Sequence, residues 1–439
     1  MNRIMPSNSI GIKSDRPSGI TNPSLIFTAI YLLMLLFTVL RPSADISSKY
    51  NTVLMALRAE ITNNGIIVHL LSIVFFLMGG LSAEYLFKFK SVEINRFYVV
   101  KRRRLIYIVY FYCFTSLAIV LLQIYLTSNI TEHICAVISK SLGSNDKYFS
   151  PAFYRSYSKG GGGLPGIIKM FNYLPLSGLY LILTYGYLKH RNILLSKREI
   201  IVWKHVFFII IVSLFRTSLF LDKTFLMAIF TAILYFYILT KLRVRSLKGV
   251  CKIVIVTILA LCISFTFADL SSYGREGMRF YDTILIYSSL GLANLSLSLK
   301  STYDLTYGLS TFGFARPILD IFGFSEFFIN LKAPEYVWGL PTYLTNYVYN
   351  DFRWFYSICF FLFGYFATFI YLKMWKNIGK YDVTIMLSLI IVIATSFVVP
   401  VNIWLEWWVT LIMGIVGVRY CFKCKKRIKI MKIKCVGIP

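Results

Sequence analysis

Continuously apolar runs approaching the roughly 20 residues that an α-helix needs to cross a hydrocarbon core recur along this chain. They fall at about Leu25 to Leu40, Ile66 to Phe87, Leu105 to Leu126, Ile167 to Leu188, Trp203 to Leu219, Phe225 to Thr240, Ile253 to Ala268, Phe355 to Leu372, Val383 to Val399 and Leu405 to Val418. The runs do not alternate polar with apolar, as barrel strands must, so helices are expected. Composition agrees: 57% of the 439 residues are hydrophobic and only 15% are charged, too few to coat a soluble surface. The expected fold is all-α, a polytopic membrane domain over 1–439 with about ten transmembrane helices.

The 47 Lys and Arg residues are divided unevenly between alternate connections. One set comprises the N-terminal segment 1–24, the loop ending Lys101, Arg102, Arg103, Arg104, and the loop with Lys189, Arg191, Lys197 and Arg198. It continues with the segment Lys241 to Lys252, then Lys373, Lys376 and Lys380, and the basic tail 419–439. This set holds most of the positive charge in the shorter share of sequence. The positive-inside rule therefore makes it cytoplasmic, with both termini on that side. The opposite, outer set contains the loop 127–166 and one large loop, 269–354, between helices seven and eight. The tail CFKCKKRIKIMKIKC is read as a topology determinant and a contact for anionic membrane lipid, ahead of nucleic acid. No small-residue cleavage pattern follows the first apolar run, so a cleavable signal peptide is not expected.

Cysteine usage suggests no outer disulfide. Cys113, Cys262 and Cys359 fall in helices, Cys251, Cys421, Cys424 and Cys435 at the cytoplasmic side, and Cys135 stands alone outside. The Cys421/Cys424 spacing fits one half of a zinc site, but no His lies near it. Acidic residues are dispersed, so no metal or cofactor site is expected.

A connection as long as 269–354 exceeds what joining two helices requires, and function is expected there. Within it, Thr283 to Leu299 is uncharged but rich in Ser and Asn, which reads as an interfacial or re-entrant helix. If it crossed the membrane, every later orientation would invert. Aromatic residues then mix with Asn, Asp and Arg, a combination suited both to sugar rings and to an interfacial belt. Arg316 beside Pro317, and Asp351 and Arg353 at the entrance to helix eight, fit a belt poorly. Asp351 has a second reading as a helix cap. In the loop FYRSYSKGGGGLPGIIK, Arg155 precedes four glycines free to adopt backbone angles closed to other residues, as a ligand-closing loop or a simple connector would use. Arg216 stands near the outer end of helix five. A charge at a helix centre in a bilayer costs roughly 2.5–3.5 kcal/mol on insertion scales, so it must be paired, snorkelling or functional. His69 in helix two reads as a hydrogen-bonded interior residue, His133 as an outer-loop reserve base, and Glu406 as a partner for an arginine.

The segment TYLTNYVYNDFRWFYSICFFLFGYF resembles the Asn/Thr/Tyr-rich approach to an Asp-Phe-Gly turn and Gly-containing helix of the Wzy-type O-antigen or oligosaccharide repeat-unit polymerases of bacterial inner membranes. Asp351 and Phe352 fit that pattern, and Arg353 stands where Gly is usual. Arg155 before its Gly-bearing loop, Arg216 at the approach to helix six, and the helical architecture along the whole chain are similar as well.

This resemblance implies periplasmic transfer of a growing glycan from undecaprenyl pyrophosphate onto another lipid-linked repeat. The implied partners are the lipid-linked oligosaccharide, membrane lipid, and the pathway's chain-length regulator and flippase. An acceptor hydroxyl would attack an anomeric carbon as lipid pyrophosphate departs. Arginine suits the leaving group, because its planar donor fork binds phosphate oxygens in pairs. Arg155, Arg216, Arg275, Arg279 and Arg316 are the candidates for that contact, with Asp304 and Tyr347 as further substrate-binding positions. Asp351 is the first choice of base, ahead of Asp304, Asp282 and Glu276. Other readings are a flippase or transporter for the same lipid-linked glycan, which is expected to show repeated halves absent from this spacing, and an O-antigen ligase sharing the donor.

Overall fold

The computed structural model describes residues 21–40, 60–87, 96–127, 170–195, 199–220, 223–241, 280–300, 343–376, 378–396 and 405–426, with single positions at 168, 305, 311, 319 and 323. The helices are α1 (Pro23–Val39), α2 (Asn63–Leu86), α3 (Arg102–Thr127), α4 (Leu174–His190), α5 (Val202–Phe220), α6 (Lys223–Lys241), α7 (Phe280–Lys300), α8 (Leu344–Phe352), α9 (Tyr356–Lys376), α10 (Asp382–Thr395) and α11 (Leu405–Cys421). Short 3-10 turns at Met170–Tyr173 and Arg353–Phe355 lead into α4 and α9. Nine of the expected apolar runs coincide with these helices; the tenth, Ile253 to Ala268, lies outside the described residues. α2, α3 and the stretch Leu344–Trp375 are long and apolar enough to cross a membrane, and α1, α6 and α10 are shorter apolar helices. Leu36, Leu81, Phe111, Phe207, Leu362 and Ile412 project from the lateral surface, where water would penalise them and lipid does not. The chain has the build of a membrane protein.

Local signals set the helix starts. Asn22 caps α1 by accepting the Ser24 amide at 2.9 Å, with Pro23 in the first turn, where its missing N–H costs nothing. Thr62 caps α2 through the Gly65 amide at 3.1 Å. α1, α2, α7, α8 and α9 form one group, α3, α4, α5, α6 and α11 a second, and α10 packs against members of both. Polar side chains tie helices across the apolar interior: Ser24 to Thr368, Thr184 to Thr384, and Ser177 to the Thr410 carbonyl. Such bonds contribute about 0.6 kcal/mol each within a bilayer.

The all-α expectation needs one correction. β1 (Arg96–Val100), β2 (Leu194–Leu195) and β3 (Phe422–Lys426) form a three-stranded sheet in the order β2-β1-β3, β1 parallel to β2 and antiparallel to β3. These strands lie in three of the basic segments, where charge obscures the short Phe97–Val100 strand pattern. Tyr98 donates to the Ile378 carbonyl at 2.7 Å, Arg191 to the Trp375 carbonyl at 3.3 Å, and Thr21 meets Tyr371 at 2.6 Å. The start of α1 and the connections α2–α3, α4–α5 and α9–α10 therefore gather with the end of α11 at one end of the bundle.

α7 covers the Thr283 to Leu299 segment that the sequence reads as interfacial or re-entrant. Ser288, Ser289, Asn294, Ser296 and Ser298 are buried against the bundle. Its last turn lies at the end opposite the sheet, because Lys300 pairs with Glu60 at 2.6 Å and Ser296 accepts the Thr62 amide at 3.0 Å. α9 starts from that same end, where Tyr356 reaches the Val68 carbonyl.

Candidate functional site

At the end away from the sheet, two buried charged residues face different surroundings. Arg216 stands in the last two turns of α5 and is 4% exposed. Its guanidinium lies 4.2 Å from the ring centroid of Phe225, in the first turn of α6, and 4.9 Å from that of Tyr173, in the turn before α4. Those two rings stack on each other 5.0 Å apart and within 10° of parallel. A desolvated guanidinium over aromatic faces keeps its charge with less hydration than an ammonium needs. Nearby, the Asn172 carbonyl accepts the Ser116 hydroxyl at 2.6 Å and the Asn172 amide approaches Gln123 at 3.5 Å, joining α3 to the same turn. Sequence reasoning found Arg216 through its charge in an apolar run. It missed Tyr173 and Phe225, because aromatic residues are ordinary constituents of such runs.

Asp351 belongs to the other group. It sits inside α8, one residue from its end, rather than at a helix N-terminus, which removes the cap reading. It is 2% exposed, and its Oδ2 accepts the Thr311 amide at 2.6 Å, so the carboxylate pins the long connection to the bundle. Tyr347, one turn earlier, is half-buried. Between them and the α7 face lies a polar layer. Tyr343 donates to the Ser288 carbonyl, the Asn346 amide reaches the Gly291 carbonyl at 3.4 Å, and Thr345 meets Ser72 at 3.3 Å. His69 Nε2 lies 3.2 Å from the Tyr31 carbonyl, and its ring stacks on Tyr31 at 4.9 Å, in keeping with its interior reading. His69 Nδ1, Asn346 Oδ1 and Ser289 Oγ are buried with no hydrogen-bond partner among the described residues, an unusual density of unfilled polar atoms for a bundle interior. The Ser and Asn content of Thr283 to Leu299 was the available signal for this layer.

Arg353 adopts an unusual backbone conformation. It ends α8 with φ 47° and ψ −125°, a conformation open to Gly and costly for other residues. Arg353→Gly is therefore expected to stabilise the folded protein by about 1 kcal/mol, the strain relieved less the added freedom of the unfolded chain. Thermal unfolding in detergent checks this: the midpoint should rise for Arg353→Gly and stay unchanged for Arg353→Ala, which keeps the strain. Asp351→Asn retains an acceptor for the Thr311 amide while removing the charge, so its unfolding midpoint should match the wild type.

The elements carrying Arg216 and Asp351 pack against different neighbours on either side of α10. Arg155, Arg275, Arg279, Arg316, Asp304, Asp282, Glu276 and His133 lie outside the described residues. Glu406 occupies the first turn of α11, where its charge complements the helix dipole. At the sheet end, Cys421 is buried and Cys424 is exposed on β3. Among the described residues no three His, Cys, Asp or Glu side chains converge. Comparison with protein-family models, with characterised proteins and with solved structures finds no match for this chain.

Proposed function

We propose that this chain is a polymerase of lipid-linked oligosaccharide repeat units in the bacterial inner membrane. It crosses about ten times, its sheet end is cytoplasmic, and its chemistry is on the periplasmic face. The observation that carries the reading is Arg216, an always-charged side chain buried over two aromatic rings at the end away from the basic sheet. A stably cationic, poorly hydrated guanidinium is what a pyrophosphate leaving group needs, and the resemblance around Asp351 supplies the sugar chemistry.

In this mechanism the acceptor hydroxyl oxygen forms a bond to the donor's anomeric carbon while the bond from that carbon to the pyrophosphate oxygen breaks. The electron pair leaves with lipid pyrophosphate, whose growing charge Arg216 stabilises together with Arg155, Arg275, Arg279 and Arg316 from the outer loops. The hydroxyl proton passes to Asp351, and Asp304, Tyr347 and the polar layer on α7 and α8 hold sugar hydroxyls. No nucleotide sugar is consumed.

The test is reconstitution. Purified protein in vesicles is given undecaprenyl-pyrophosphate-linked repeats, and product length is read on a gel. A ladder of multiples of the repeat, lost in Asp351→Asn, supports the reading. Unchanged single repeats moved across the bilayer would make the chain a flippase instead, and transfer only to lipid A core would make it a ligase.

A further inference from the structure

The sheet end carries a feature that glycan chemistry at the opposite face does not use. β1 with the start of α3 reads RFYVVKRRR, and the end of α11 with β3 reads RYCFKCKK; neither stretch contains an acidic residue. Antiparallel pairing sets these stretches side by side, with Val99 opposite Lys423, and the Lys101 amide donates to the Cys421 carbonyl at 3.0 Å. Arg102, Arg103, Arg104 and Lys423 are exposed. The Arg104 guanidinium lies 4.8 Å from the ring centroid of Tyr420, which is itself 53% exposed on the outside of the bundle. Desolvation, and then the charges of Arg104 and Lys423, hold the Lys101 ammonium below the usual lysine range, so the three cations share one field. Like charges fixed together by a sheet repel, and the positive end of the α3 dipole adds to that field. An anion bound among them relieves both terms.

We infer that Lys101, Arg104, Tyr420 and Lys423 form a site for the phosphate of an anionic phospholipid at the membrane surface. The position selects lipid over a soluble anion. Tyr420 is the kind of amphipathic ring found at headgroup depth, its neighbours Tyr107 and Val416 one turn away on α3 and α11 are exposed large side chains against which acyl chains would run, and Arg104 lies over the Tyr420 ring as a cation beside that surface. The site is independent of the reaction proposed for the opposite face.

The full-length protein in nanodiscs of phosphatidylcholine, with and without phosphatidylglycerol, provides the test. Native mass spectrometry should find phosphatidylglycerol retained by the wild type. Arg104→Gln and Lys423→Gln should each lower retention about fivefold, equivalent to about 1 kcal/mol per cation at a membrane surface, with thermal midpoints in pure phosphatidylcholine unchanged. Lys204→Gln, an exposed cation on the first turn of α5, should leave retention as it was. An equal loss in Lys204→Gln would mean diffuse charge attraction and overturn the site. Full displacement of the lipid by inorganic phosphate would overturn its assignment to a lipid headgroup.

Discussion

Gly364→Val is expected to prevent the folded protein from accumulating, the largest effect on stability of any single substitution considered. α2 and α9 are the most closely packed pair in the bundle, and they meet at Gly79 and Gly364. A Cβ on Gly364 would collide with the Phe76 carbonyl oxygen, and one on Gly79 with the Phe361 carbonyl oxygen. Both obstacles are backbone atoms of a facing helix, so no side chain can move aside and the helices must separate. Small residues at such crossings are how membrane helices gain close van der Waals contact without a hydrophobic drive between them. Forcing them apart costs more than the 1–3 kcal/mol typical of overpacking a soluble core, and exceeds about 4 kcal/mol once the contacts of both faces are lost. Size-exclusion chromatography in detergent should show aggregate for Gly364→Val and a single peak for Phe366→Ala, which removes a lipid-facing ring from the same helix. A monodisperse Gly364→Val protein with a wild-type midpoint would refute this packing.

Arg216→Met is expected to give a folded protein with polymerisation reduced about 10²–10³-fold, the loss that accompanies removal of one preorganised charge-stabilising donor. Met keeps most of the apolar volume between Tyr173 and Phe225, and replacing a buried charge by an apolar side chain is often neutral or favourable to stability. Arg216→Lys is expected to lose nearly as much activity. Lys retains the charge but not the planar fork that lies over the two rings and pairs with phosphate oxygens, and it carries a tighter hydration shell. The rate of ladder formation in vesicles, measured beside the thermal midpoint, separates chemistry from folding. Full activity in Arg216→Lys would show that position needs only a charge.

Much of the bundle was legible because the apolar runs are long and continuous, so burial and helix length coincide. The runs at Leu105 to Leu126 and Trp203 to Leu219 lie within α3 and α5 for that reason. α7 was harder: its Ser and Asn content suppresses hydropathy, although Ser288, Ser289, Asn294, Ser296 and Ser298 are buried against the bundle. The sheet was hidden for the opposite reason, its strands being short, set in basic segments and formed between stretches far apart in sequence. Arg216 could be picked out because a cation in an apolar run has few cheap explanations. Its aromatic cradle, and the bond from Asp351 to the Thr311 amide, could not, as each depends on tertiary contacts that leave no local pattern.

Chain length of surface polysaccharide in a strain lacking this protein is the most direct measurement of the proposed function. Single capped repeats in the deletion, with long chains restored by the wild-type protein and not by Arg216→Met, are the result predicted. Normal long chains in the deletion strain would contradict it.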